Sequence, residues 1–113
     1  MAIRIVDADT LYVRVNGKVY KVDFALTQVP AKGQKEFMEA TSFTRGLCLG
    51  SDVLIDQDDN LLTSTGSSII AVVYCSDINL NSELLDNGYA TLNKDQCGTS
   101  EFASQPWAKD HGC

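Results

Sequence analysis

A chain of 113 residues has room for one modest core, because folding at this size buries somewhat under about 70% of the unfolded surface. Apolar residues make up 44% and charged residues 21%, globular proportions that exclude a disordered tail or a fibrous repeat. Fifteen acids against nine bases give a net charge of −6, which disfavours nucleic acid: phosphate binders gather Lys and Arg, and here the bases are scattered with no stripe.

The elements follow in chain order. Met1-Ala2 leads straight into strand-like Ile3–Val6 with no leader pattern, so the expectation is an intracellular chain or a mature domain. Leu11–Val15 alternates as a second strand, Leu11, Val13 and Val15 on one face and Tyr12 and Arg14 on the other. Asn16-Gly17 is a two-residue hairpin signal, since a type I′ turn needs positive φ at both positions. The returning strand, Lys18 to Leu26, fades before Pro30. From Gln34 to Leu47 the apolar face Phe37, Ala40, Phe43 (with Thr44) and Leu47 predicts a helix, with Leu49-Gly50-Ser51 as its stop. Asp52–Ile55 reads as a fourth strand, leading into the acidic turn Asp56-Gln57-Asp58-Asp59-Asn60. That turn lacks the glycine and the final glutamate of a calcium loop and reads as a solvated tip. Ile69–Cys75 is wholly apolar but only strand-long, so no membrane span is expected. Asn81–Asn87 predicts a short helix closed by Gly88, and Tyr89–Leu92 a last extended piece. In the tail, Ser104 is an N-cap candidate before Pro106, and Gly112 follows the helix.

Three strands, a helix and two further strands suit a mainly β fold with α elements. The expected architecture is a five-stranded Greek-key OB barrel with a helix between strands 3 and 4 and C-terminal helices, as a single domain over residues 1–113. Four cysteines lack the C-x-x-C spacing of zinc ribbons. Cys97 and Cys113 bracket the tail at 93–113 and are expected to staple it. Cys48–Cys75 stays open against free thiols. Paired cysteines place the protein outside the cell or at its surface, reduced ones in the cytoplasm.

Val6-Asp7-Ala8-Asp9-Thr10-Leu11, Leu26-Thr27-Gln28-Val29-Pro30, Glu39–Thr44, Ala71–Tyr74 and Asn79–Ala90 together resemble the staphylococcal nuclease-like (thermonuclease) family over residues 3–92. The resemblance implies calcium-dependent phosphodiester hydrolysis. That chemistry needs carboxylates on a hard cation, a glutamate for the attacking water and guanidinium groups for the phosphorane. Carried over residue by residue, the first metal-binding aspartate is Asp9, followed by Thr10, and the second falls at Gln28. The catalytic glutamate falls at Ala31, the first arginine at Asp23 and the second at Ser67 or Ser68. Nearby Glu36 and Lys32 do not restore an arginine fork. Each preorganised group removed typically costs about 10²–10³ in rate.

The resemblance with these losses implies a catalytically inactive domain acting as a structural or binding module, with an unidentified protein as partner and at most a vestigial calcium site. Two alternatives are a weak calcium-dependent phosphodiesterase acting on DNA or RNA through Asp9, and an OB domain that binds oligonucleotides without cleaving them. Asp7-Ala8-Asp9 reads as a hydrogen-bonded turn, and His111 as a surface residue. Among Tyr12, Tyr20, Tyr74, Tyr89 and Trp107, packing is expected to outweigh base stacking, with Trp107 holding the tail to the body.

Overall fold

Period-two alternation and one tight turn build the first layer. In the computed structural model, which describes residues 1–30, 32–61, 63 and 68–113, β1 (Ala2–Asp7), β2 (Thr10–Val15) and β3 (Lys18–Phe24) form an antiparallel meander. Asn16 (φ 51°) and Gly17 (φ 79°) both take the left-handed conformation that the hairpin demands. β1 is an edge strand and carries two register shifts, between Ala2 and Arg4 and between Ile5 and Asp7. Such bulges twist an edge away from further pairing.

Short β4 (Thr27–Gln28) precedes α1 (Lys35–Cys48), β5 (Val53–Gln57) and β6 (Ser68–Cys75). Then come β7 (Ile78–Asn79), α2 (Leu80–Asp86), β8 (Thr91–Leu92), a 3-10 turn at Lys94–Gln96 and α3 (Pro106–Asp110). The main sheet runs β1-β2-β3-β6-β5, with β3 and β6 parallel, which is OB-like order; β7 pairs with β6, and β4 pairs separately with β8. Among the described residues the seam between β1 and β5 is not a ladder. β1 instead bridges to the segment between α1 and β5, Ala2 to Leu49, with the Gly50 N–H donating to the Ala2 carbonyl at 3.1 Å. No described helix is long and apolar enough to cross a membrane.

β6 explains its own composition. Ile69, Ala71, Val73 and Cys75 face the main core with Leu11, Val22, Phe24 and Leu84, while Ile70, Val72 and Tyr74 face a second core formed with the tail. A strand covered on both faces reads as a continuous apolar run. Against its main-core side, Asn81 of α2 is fully buried. Its Oδ1 accepts from the Val73 N–H (3.0 Å) and its Nδ2 donates to the Ala25 (2.8 Å) and Ala71 (3.1 Å) carbonyls.

Two sequence expectations need correcting. The buried stripe of α1 is Ala40, Thr41, Thr44 and Cys48, with Phe43 and Leu47 only partly buried beside it and Phe37 half-exposed. Ala40 and Thr44 of the predicted face are buried, the Thr44 hydroxyl donating to the Ala8 carbonyl at 2.7 Å, while Thr41 and Cys48 take the depth expected of Phe37 and Leu47. At α3 the N-cap is Gln105 rather than Ser104, and the Gln105 Oε1 accepts from the Trp107 indole N–H instead of capping the backbone.

The tail is built into the molecule. Phe102 and Ala108 pack on Ala25, Leu26 and Val72, with Trp107 beside them. The Leu26 N–H donates to Gln96 Oε1 (2.6 Å) and the Asn93 N–H to the Leu26 carbonyl (2.8 Å). Asp58, expected in a solvated tip, is fully buried. Its Oδ1 accepts N–H groups of Asn60 (3.0 Å), Leu61 (3.2 Å) and Glu101 (3.3 Å), and its Oδ2 accepts the Ser100 hydroxyl. Disulfides join Cys48 to Cys75 and Cys97 to Cys113. The first, between the end of α1 and the end of β6, resolves the pairing that the sequence left open. Replacing Cys97 and Cys113 by alanine frees a loop with a sequence separation of 16. Urea unfolding should register a loss of about 3 kcal/mol.

Candidate functional site

Four strand ends and one turn converge at a single corner. Asp7 ends β1, Asp9 lies in the following turn, Thr10 starts β2, Asp23 lies near the end of β3 and Thr27 opens β4. Register makes the meeting obligatory, because Asp7 pairs with Thr10 and Thr10 with Asp23. Asp7 Oδ1 accepts the Asp9 N–H (3.1 Å), the turn that its aspartates were expected to make. Thr10 donates to Asp23 Oδ1 (3.1 Å) and lies 3.5 Å from Asp9 Oδ1. The Thr27 hydroxyl lies 3.2 Å from Asp9 Oδ2 and 3.1 Å from the Phe24 carbonyl. The Asp9 carbonyl accepts from the Phe24 N–H (2.8 Å), which locks the turn to β3.

Electrostatically the corner is one-signed. Burial, then a hydrogen bond with Asp7 and the Asp7 charge, push the Asp9 carboxyl from its ordinary 3.8 up to about 8; the Thr27 hydroxyl opposes the rise and Asp23 adds to it. Between those two values the folded protein holds a proton that the unfolded chain releases. Stability therefore falls as pH rises from about 4 toward about 8. In EDTA, the melting temperature should drop between pH 5 and pH 8.5. Asp9→Asn, which carries no charge at either pH, should flatten that slope in calorimetric scans.

The other expected site residues fall elsewhere. Gln28 follows Thr27 on β4, and consecutive strand residues point to opposite faces. With Thr27 turned to Asp9, Gln28 is exposed and lines a groove of about 310 Å³ with Pro30, Gln34 and Tyr89. Thr27 is the corner residue that sequence reasoning missed; counting back from Pro30 selected its neighbour. Ser68 begins β6 opposite Lys21, one same-face row along from Asp23. Ala31 and Ser67 lie outside the described residues. Glu36 and Lys32 are exposed, and neither has a hydrogen bond to the corner. Among the described residues no group of three or more His, Cys, Asp or Glu is disposed to hold a metal ion.

The aromatic residues divide. Tyr20 packs on the main core, Tyr74 on the second and Trp107 on both, while Tyr89 tilts on Phe43 with ring centroids 4.8 Å apart. Only Tyr12 stands on the outer face of the meander, paired with Arg4 and Lys21. His111 Nε2 lies 2.7 Å from Asp86 Oδ1, so α3 is also tied to α2.

Comparison with curated proteins gives no match. The family described as staphylococcal nuclease homologue matches residues 3–106, which takes in the acidic corner, α2 and most of the tail. By a match over nearly its whole length, joined to an OB-like strand order, the chain belongs to the staphylococcal nuclease homologue family.

Proposed function

We propose that this nuclease-like domain hydrolyses no phosphodiester and serves as a binding module for a protein partner. The acidic corner carries the reading. A scissile phosphodiester is anionic and gains charge toward the phosphorane, so a competent site presents cations there. This corner presents Asp7, Asp9 and Asp23 with two threonine hydroxyls; Asp23 stands where the first arginine is expected, and among the described residues no Lys or Arg pairs with these carboxylates. With Gln28 on the opposite face, the donors here do not fit the family's calcium ion. The two disulfides support an oxidising compartment, outside the cell or at its surface.

Incubation of the protein with single-stranded DNA and RNA in millimolar calcium should give no hydrolysis above the buffer rate, and Asp9→Ala should leave that background unchanged. Calcium-dependent cleavage that disappears in Asp9→Ala would overturn the reading.

A further inference from the structure

The strand register collects what the sequence scatters. Arg4 pairs with Tyr12, Tyr12 with Lys21, and Arg14 with Val19. Even-numbered β2 residues point away from the core formed by Leu11 and Val13, so these five side chains share the outer face of the meander. With strands about 4.8 Å apart, Arg4 and Lys21 stand roughly 10 Å from each other with the tyrosine between them. The bulge after Ala2 leaves both Ile3 and Arg4 outward, and Arg4 and Arg14 are exposed. Among the described residues, Arg4, Arg14 and Lys21 form no ion pair. Four of the nine bases lie in the meander, residues 2–24, against Asp7, Asp9 and Asp23 at its corner end, so the meander is slightly basic on a chain of net charge −6.

We propose that this face docks an acidic segment of a partner protein. The inference rests on the binding role argued above and names its surface. Charge complementarity is the first argument: three unpaired cations in one patch of an acidic molecule lose little on desolvation if carboxylates replace water. Composition is the second. Arg and Tyr beside the exposed Val19, which is 39% accessible, are the residue types that anchor protein interfaces. Geometry is the third. One row along the same face lie Asp7 and Asp23, so a polymer with a charge on every unit would run from cations onto carboxylates. A short anionic stretch fits within the basic row, whereas a nucleic-acid strand overruns it.

The test uses the full chain and a synthetic hexapeptide with two Glu at its centre flanked by Val and Ser, a matched peptide with Gln for each Glu, and a dT12 oligonucleotide, titrated calorimetrically at low salt. Expected are saturable binding of the Glu peptide, weakening at 300 mM NaCl, and at least a tenfold loss in Arg14→Glu/Lys21→Glu with unchanged near-UV circular dichroism. Lys21→Gln, a milder change, should lose less. Equal binding of the Gln peptide, indifference to charge reversal, no binding of the Glu peptide, or tighter binding of dT12 would each overturn the proposal. Cleavage of dT12 would instead overturn the non-catalytic reading, so the two failures are separable.

Discussion

Asp58→Ala is expected to lower the unfolding free energy by about 3–5 kcal/mol, a large part of the 5–15 kcal/mol typical of such domains. The side chain is fully buried, and it accepts from the backbone of Asn60, Leu61 and Glu101 and from the Ser100 hydroxyl. Truncation leaves the buried Ser100 hydroxyl without its acceptor and unpairs three partly buried N–H groups. It also unties the loop after β5 from the tail, since Ser100 and Glu101 belong to the segment that covers Val72. Urea denaturation measures the energy, and limited proteolysis should show earlier cutting between Cys97 and Cys113. Asp58→Asn keeps one acceptor oxygen, and the Ser100 hydroxyl can turn to accept from the new amide. Its loss should be roughly 1–2 kcal/mol, and equal losses for the two variants would refute the assignment of Asp58 as a hydrogen-bond acceptor hub.

Asn81→Leu is the second large effect. Leucine has a similar size and adds apolar surface, so a packing argument alone predicts little change. The amide, however, satisfies the Val73 N–H and the Ala25 and Ala71 carbonyls where no solvent reaches. The Ala71 carbonyl keeps the Ala25 N–H, but the Val73 N–H and the Ala25 carbonyl are stranded, which should cost about 2–5 kcal/mol, seen as a fall in melting temperature on the order of 10–15 °C. A melting point within a few degrees of the parent would mean that those groups find other partners.

These two residues also mark the limits of the sequence. Period-two alternation and Asn16-Gly17 disclosed the meander, because strand pitch and turn handedness are local properties. The apolar run Ile69–Cys75 announced a strand, yet nothing local said that a tail more than twenty residues downstream would cover its second face. Asp58 looked solvated because its partners Ser100 and Glu101 lie some forty residues away. The face of α1 was read in part: Ala40 and Thr44 were placed on it, while Thr41 was missed because a buried threonine carries no apolar signal. At the acidic corner Asp9 and Thr10 were legible as a motif, whereas Thr27 entered through the direction of its side chain. The basic row stayed invisible, since Arg4, Tyr12 and Lys21 become neighbours only through register.

The double-sided strand has a consequence for how damage spreads. Val72 and Val73 are covalent neighbours, yet one answers to Phe102 and the other to Leu84. Shaving methyl groups from both should give penalties that simply add, as for remote positions. Val72 and Phe102, far apart along the chain but lodged in one cluster, should instead show a coupling energy, because the hole left by either relaxes the cage around the other. Energetic distance in this protein is measured through the sheet, and its polypeptide order is a poor guide to it.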